Sequence, residues 1–184
     1  MDKNVQAGIN DAQALVRSGE PEAALELLLT LKFSAKGHLE LDLNLAMIYR
    51  QLGKLTEAIA ALDQVLAQDP YSFIALLSKG SIFEQMGSVR WAGEIYKNAL
   101  KIAPPADRLP SSLLGPVEQA QSLVQAQNTL LYHDLKTHID GYLATEANDE
   151  IRSRLEGSLE LLTGRSRLFH SQAIQLQYPG LPAV

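Results

Sequence analysis

The residue types of a metal site stand in the second half of the chain. The string His138-Ile139-Asp140, with His170 downstream, offers two imidazoles and a carboxylate, the set that holds non-haem iron. Such a site needs His138 and Asp140 on one side of a strand. The surrounding apolar residues instead follow a helical pattern, in which positions i and i+2 diverge by about 200°. His133 and His138 are five residues apart, whereas two ligands on one helical face are about four apart. We therefore expect no metal site.

Other reactive residue types form no catalytic pattern either. The chain has no cysteine, which excludes thiol catalysis, disulfides and cysteine-bound zinc. Ser111, Ser112 and Ser166 have no histidine and aspartate placed to activate them. The glycines are isolated, so a phosphate-binding loop is not expected, and carboxylate pairs such as Glu22 and Glu26 belong on solvated helix faces. The sequence predicts no catalytic residue, no cofactor and no enzymatic activity.

Composition narrows the choice of partners. The 184 residues carry a net charge of −5 without a block of either sign, so a nucleic-acid-binding surface is not expected. No stretch approaches the roughly 18 apolar residues of a membrane span, and the N-terminus has no apolar signal region. We expect a cytoplasmic protein whose partners are proteins or peptides, with no membrane contact.

A repeat explains the first part of the chain. Residue types recur at intervals of 34 residues over 5–106, which predicts three units at 5–38, 39–72 and 73–106. Apolar residues within each half-unit recur at helical spacing, so each unit is a pair of helices. The recurring columns are Gly19, Gly53 and Gly87; Ala24, Ala58 and Ala92; Ala12, Ala46 and Gly80; Leu15, Tyr49 and Phe83; and Pro70 and Pro104.

Each column has a structural reason. The glycine follows the first helix, where a residue without Cβ can enter the left-handed region and end it. The small residue of the first helix is expected to face the alanine of the second, so that the two backbones approach closely. The closing proline stops the second helix. Trp91, next to Ala92, is expected to pack against the following helix.

This pattern resembles the tetratricopeptide repeat, whose period is about 34 residues. The third unit is the best copy, and the first is worn, with Gly8, Asp11 and Lys36 at positions where the family has other residues. Lys79 stands where leucine is usual. The resemblance implies an all-α fold, a solenoid of three helical hairpins followed by a long helix and further capping helices.

The residues after the repeats follow a different pattern. Prolines mark 107–116 as a connector, and Gly115-Pro116 is expected to open a long helix that ends near Glu146. A second helix is expected from an Asn148 or Asp149 cap to Gly164, so that 117–164 cap the array. Residues 165–184 then read as a linker toward a domain outside this chain. Within that linker, a strand-like alternation is formed by Ile174, Leu176 and Tyr178.

Three segments of this tail resemble bacterial aspartyl/asparaginyl β-hydroxylase-type proteins. They are Ala103–Pro110, Leu159–Arg165 and Gln177–Pro182. In that family a tetratricopeptide region precedes an iron- and 2-oxoglutarate-dependent oxygenase domain. The resemblance implies that this chain is the non-catalytic front part, cut at a domain boundary, of a protein that is itself such a dioxygenase. The alternative is a free-standing adaptor that binds a partner segment or associates with itself.

The tetratricopeptide resemblance also implies where a partner binds. In that family the first helices of successive units line a groove for a peptide or a helix. The positions carried over are Ile9, Gln13, Val16, Arg17, Leu43, Met47, Arg50, Gln51, Leu77, Ser81, Glu84 and Gln85.

The sequence leaves three candidates for what fills the groove: a segment of another protein, the chain's own later helices, or a following domain. The long helix also allows a homodimer. The family's lysine and asparagine clamp for a C-terminal carboxylate is matched only by Asn44, with Ile9, Gln13, Ile74 and Ser78 at its other positions. Binding to chaperone C-termini is therefore not expected.

Overall fold

The computed structural model describes residues 3–35, 37–145 and 148–171. These residues are helical throughout apart from turns, and no strand is present among them. The predicted strand-like alternation at Ile174, Leu176 and Tyr178 lies outside the described residues. The helices are α1 (Lys3–Ser18), α2 (Pro21–Ser34), α3 (Leu39–Gln51), α4 (Leu55–Gln68), α5 (Phe73–Gln85), α6 (Val89–Lys101), α7 (Ser111–Thr145) and α8 (Asp149–Ser171).

The first six helices form three hairpins, which confirms the predicted fold class. Each helix from α1 to α5 packs on the next one along the chain, and α1 also contacts α3. The chain divides into two compact units, Met1–Ala103 and Pro104–Val184. The core of the first unit is a continuous set of aliphatic side chains from successive hairpins, among them Leu28, Leu45 and Leu62. None of the helices in the described residues is long and apolar enough to cross a bilayer.

Left-handed glycines end the first helix of each hairpin, as predicted. Gly19, Gly53 and Gly87 have φ angles of 88°, 73° and 74°. In each case the next residue's amide donates back to a carbonyl in the last turn of the helix, for example Lys54 N to Tyr49 O at 2.8 Å. A residue with a Cβ is strained at such angles, so glycine fixes the position of each tight turn.

The close approach inside the third hairpin differs from the prediction. A Cβ placed on Gly80 would lie 2.4 Å from Cδ1 of Tyr96, and its nearest neighbours belong to that ring rather than to Ala92. Tyr96 is almost completely buried. The repeat-equivalent positions hold Ala12 with Leu28 and Ala46 with Leu62. The smaller residue in α5 therefore accommodates the larger ring in α6.

Lys79, which departs from the family pattern, is accommodated by an ion pair. Its Nζ lies 2.5 Å from Oδ1 of Asp63 in α4, and 6.0 Å from the centre of the Phe83 ring. The aliphatic stem of a lysine can cover apolar surface while its ammonium reaches a carboxylate at the rim. The lysine that replaces the usual leucine therefore links α5 to α4 through its ion pair with Asp63.

The helices after the repeats have boundaries that differ from the prediction. α7 begins at Ser111, four residues before Gly115, so that Pro116 lies inside the helix and the predicted connector is shorter. Pro116 is the sixth residue of α7, beyond the first turn, so its missing N–H removes one intrahelical hydrogen bond. The predicted cap of α8 is confirmed, because Asn148 Oδ1 accepts from the amides of Glu150 (2.9 Å) and Ile151 (3.3 Å). α8 continues past Gly164 to Ser171. Within this unit α7 packs on α8.

Candidate functional site

The first helices of the hairpins, α1, α3 and α5, carry the predicted partner-binding residues. Gln13, Arg17, Met47 and Arg50 are exposed at the surface of α1 and α3. The side chains of Leu43, Ser81 and Glu84 are partly buried. We call the surface that these seven residues form the first-helix face.

Two of the predicted groove residues belong to the core instead. Ile9 is fully buried and Leu77 is 4 % exposed, so neither side chain is accessible to a partner. Ile9 follows buried Val5 by four residues and precedes buried Ala12 by three, which places it on the core-facing stripe of α1. Leu43 occupies the same repeat position in the second unit, but its side chain is only partly buried. Residues at the same position of the repeat therefore differ in exposure.

Side-chain hydrogen bonds join neighbouring first helices. Gln13 Nε2 donates to Asn44 Oδ1 at 3.0 Å, which links α1 to α3. Arg50 Nη2 donates to Ser81 Oγ at 2.9 Å, and Arg50 Nε donates to Gln85 Oε1 at 3.3 Å, which link α3 to α5. These contacts hold polar side chains in fixed positions on the first-helix face.

A pocket opens between α3 and α5 beside this network. Its floor is apolar and buried, because Ala46, Leu62 and Ile82 are each no more than 2 % exposed. Its rim includes Met47 and Ile74, which are 66 % and 48 % exposed. The complete lining is Leu43, Ala46, Met47, Arg50, Leu62, Ile74, Ser78 and Ile82. We call this the α3–α5 pocket.

The sequence predicts only part of the α3–α5 pocket. Leu43, Met47 and Arg50 are predicted groove residues, whereas Ile74 and Ser78 stand only at unmatched clamp positions. The spacing Ile74, Ser78 and Ile82 is a run of i and i+4 steps, which puts the three residues on one side of α5. That spacing is the signal that could have placed them opposite α3.

Tyr96, whose ring lies against Gly80, forms a hydrogen bond with a residue of the first-helix face. Tyr96 Oη donates to Glu84 Oε2 at 2.9 Å. Burial, and then the hydrogen bond to the Glu84 carboxylate, raise the pKa of Tyr96 well above its ordinary value. The phenol therefore stays neutral in the folded state under alkaline conditions that ionise it in the unfolded chain.

This difference predicts a pH dependence of stability. A raised pKa contributes free energy of unfolding below about pH 10, the ordinary tyrosine value, and that contribution decreases as the pH rises further. We expect the stability gap between the wild type and Tyr96→Phe to narrow between pH 9 and about pH 11. Urea unfolding of both proteins across this range measures the gap. A gap that stays constant would contradict the shifted pKa.

Trp91 lies at the surface of α6, and its packing against a following helix stays a prediction. The indole is 65 % exposed, and Val89 and Met86, two and five residues earlier in the sequence, are also exposed. The reason lies in its position in α6. Ala92 and Gly93 face inward, and Trp91 precedes them on the outer side of the first turn.

The histidine and aspartate string in α7 makes contacts of an ordinary helix surface. His138 Nδ1 lies 2.7 Å from the Asp134 carbonyl oxygen, and Asp140 pairs with Lys136. Both side chains are exposed. Across the part of the chain that the structure describes, no group of three histidine, cysteine, aspartate or glutamate residues could hold a metal ion.

The helical hairpins, their glycine turns and their 34-residue period agree with a known family. The tetratricopeptide repeat model matches residues 9–72 and 43–107, which together make up more than half of the chain. The chain belongs to the tetratricopeptide repeat family. No curated protein matches it.

Several solved structures share this fold. The Yersinia enterocolitica chaperone SycD, in complex with a peptide of the translocator YopD, is 15 % identical with a TM-score of 0.59, covering 68 % of this chain and 93 % of that one. The first tetratricopeptide domain of Spaghetti (RPAP3), bound to an HSP90 peptide, is 13 % identical with a TM-score of 0.58, covering 69 % and 95 %. The MamA RS-1 ArsTM double mutant is 20 % identical with a TM-score of 0.58, covering 91 % and 87 %. At these identities the likeness concerns the fold alone.

Proposed function

We propose that this tetratricopeptide protein is a non-catalytic scaffold that binds a segment of a partner protein on its first-helix face. The observation that carries the proposal is the α3–α5 pocket. The pocket has an apolar floor, and two exposed apolar side chains, Met47 and Ile74, stand at its rim. An apolar side chain inserted there would be removed from water. The hydrogen-bonded polar side chains beside it would fix the orientation of a bound peptide.

Two of the similar structures support this proposal because each contains a bound peptide. The SycD structure contains a peptide of YopD, and the Spaghetti domain is bound to an HSP90 peptide. Both are therefore complexes of a similar fold with a peptide. Recognition of an amphipathic or extended segment by apolar anchors is a common mode of peptide binding.

The experiment is a selection of peptides from a random display library, followed by affinity measurement with two matched variants. Met47→Glu puts a charge at the rim of the α3–α5 pocket and is expected to weaken the selected peptides at least about tenfold. Trp91→Glu removes an equally exposed apolar side chain from α6 and should leave their affinity unchanged. Loss of binding in Trp91→Glu with normal binding in Met47→Glu would contradict the proposal.

We further propose that the chain is the N-terminal module of an aspartyl/asparaginyl β-hydroxylase-like 2-oxoglutarate oxygenase. In this proposal 5–106 are the binding module, 117–164 its capping helices and 165–184 the linker to the oxygenase domain. Support comes from the three tail segments, of which Gln177–Pro182 lies outside the described residues. Reading the gene beyond the codon for Val184 tests this proposal. A stop codon there would leave the free-standing adaptor.

Other aspects of the function stay predictions. The chain's own later helices or a following domain are alternative occupants of the first-helix face, and the peptide selection addresses them because an occupied pocket would select nothing. A homodimer and a cytoplasmic location also stay predictions.

A further inference from the structure

Helix α7 has a second apolar side, which α8 does not cover. α8 packs against the side of α7 that carries Tyr132, whose Oη lies 3.4 Å from Oγ1 of Thr163 in α8. On another side of α7, Leu131, Leu135 and Tyr142 are 56 %, 39 % and 65 % exposed. These large apolar side chains therefore remain open to solvent.

The exposed residues belong to a row with the spacing of a coiled coil. Steps of four and three residues alternate along it, which averages 3.5 residues per turn and keeps its members on one side of the helix. The row runs for about 27 Å along α7. We call it the α7 seam, and its six members are Val124, Asn128, Leu131, Leu135, His138 and Tyr142.

The α7 seam has the same pattern in both directions. Its members lie two, five and nine residues on either side of position 133, and apolar and polar residues alternate in the same order from both ends. A two-fold axis at this position would pair Val124 with Tyr142, Asn128 with His138, and Leu131 with Leu135. Each apolar residue would then meet an apolar one, and the amide would meet an imidazole to which it can hydrogen-bond. An interface between two copies of one surface requires such self-complementarity.

A concavity on α7 lies where this antiparallel pairing needs one. It has a volume of about 350 Å³, and its lining is Thr137, His138, Gly141, Tyr142 and Thr145. The last four follow the i, i+3, i+4 and i+7 spacing of a hole that receives one side chain from a facing helix. A Cβ placed on Gly141 would meet no atom within 4 Å, so the hole is open. The side chain that the two-fold axis would bring to it is Val124.

From this geometry we infer that the α7 seam is the interface of a homodimer in which the α7 helices of two copies pack antiparallel. Val124 of each copy occupies the concavity at Gly141 of the other. The sequence alone allows a homodimer without indicating its interface. The polar pair favours one register, because a shift would place Asn128 opposite an apolar residue without a hydrogen-bond partner. The inference is independent of peptide binding, since it uses only residues of the second unit.

Analytical ultracentrifugation of the full chain tests the inference. A concentration range from about 1 μM to about 1 mM is suitable, because a small interface is expected to be weak. We expect a reversible monomer–dimer equilibrium. Gly141→Gln fills the concavity and should weaken the dimer at least about tenfold, although glutamine is the better helix former. Gly115→Gln makes the same change on the opposite side of α7, where a Cβ also meets no atom within 4 Å, and should leave the equilibrium unchanged.

Cysteine cross-linking tests the direction of the two helices, and the absence of native cysteine removes any background. Asn128→Cys and His138→Cys are prepared separately and then mixed. In the antiparallel dimer, disulfides should form in the mixture and not in either variant alone. Two copies of the same position would be about 15 Å apart along the helices, which is too far for a disulfide. Cross-linking within a single variant would indicate a parallel pair and overturn the register.

The oligomeric state decides between the remaining outcomes. A chain that stays monomeric at about 1 mM would overturn the inference, and so would a dimer that persists in Gly141→Gln. Leu131→Gln, at an exposed seam position, should weaken the dimer as well, and circular dichroism checks that both variants keep the helix content of the wild type. None of these results changes the proposed function, because peptide binding is measured at the α3–α5 pocket.

Discussion

Ala58→Trp is expected to unfold the hairpin repeats cooperatively. Ala58 is fully buried in α4, and its repeat equivalents Ala24 and Ala92 are fully buried as well. Adding even a methylene to a well-packed core costs about 1–3 kcal/mol, and an indole needs far more space. We expect a loss of at least about 3 kcal/mol, a large share of the roughly 5–15 kcal/mol that stabilises a domain. Urea unfolding followed by circular dichroism measures the change.

The neighbouring residue gives a matched control for this substitution. Glu57 occupies the repeat position that corresponds to Trp91, which is 65 % exposed. Glu57→Trp therefore adds the same side chain one residue away, on the outer side of α4, and is expected to change the free energy of unfolding by no more than about 0.5 kcal/mol. Equal destabilisation by both substitutions would show that the helix faces are assigned incorrectly.

The contrast between Ala58 and Glu57 shows what the repeat made predictable. The period located the helix pairs, the glycine turns and the small buried column, because each depends on local geometry that a residue type reveals. Exposure in the first helices was predicted less well. Ile9 and Leu77 are buried where Leu43 is half-buried, since the neighbouring helix, and not the register, decides which side chain is covered.

The residues after the repeats show a second limit of sequence reasoning. Proline was expected to mark a connector up to Pro116, but α7 begins at Ser111 and includes Pro116. Pro116 is the sixth residue of α7 and removes one intrahelical hydrogen bond, but the residues before it are still helical, so a proline does not fix the first residue of a helix. The cap of α8 was predictable because Asn148 supplies a specific acceptor for two otherwise unsatisfied amides. The capping residue Asn148 therefore located the start of α8 more reliably than the prolines located the start of α7.

Gly80→Ala is the second substitution with a large expected effect, and its sign opposes helix propensity. Alanine is favoured over glycine inside a helix by about 1 kcal/mol. However, the new Cβ would lie 2.4 Å from the Tyr96 ring, and that ring is buried and held by its hydrogen bond to Glu84. We expect the overlap to exceed the propensity gain and to give a net loss of about 1–3 kcal/mol in urea unfolding.

The background variant Tyr96→Leu tests whether the ring causes this loss. Together, Gly80→Ala and Tyr96→Leu recreate the alanine and leucine pair found at the equivalent positions of the first two hairpins, such as Ala46 and Leu62. In that background Gly80→Ala should be neutral or stabilising, because the propensity term then acts alone. The same destabilisation in both backgrounds would mean that the glycine is required by the backbone of α5. Rescue would show that the size of one side chain in α6 determines which residue its partner position in α5 can hold.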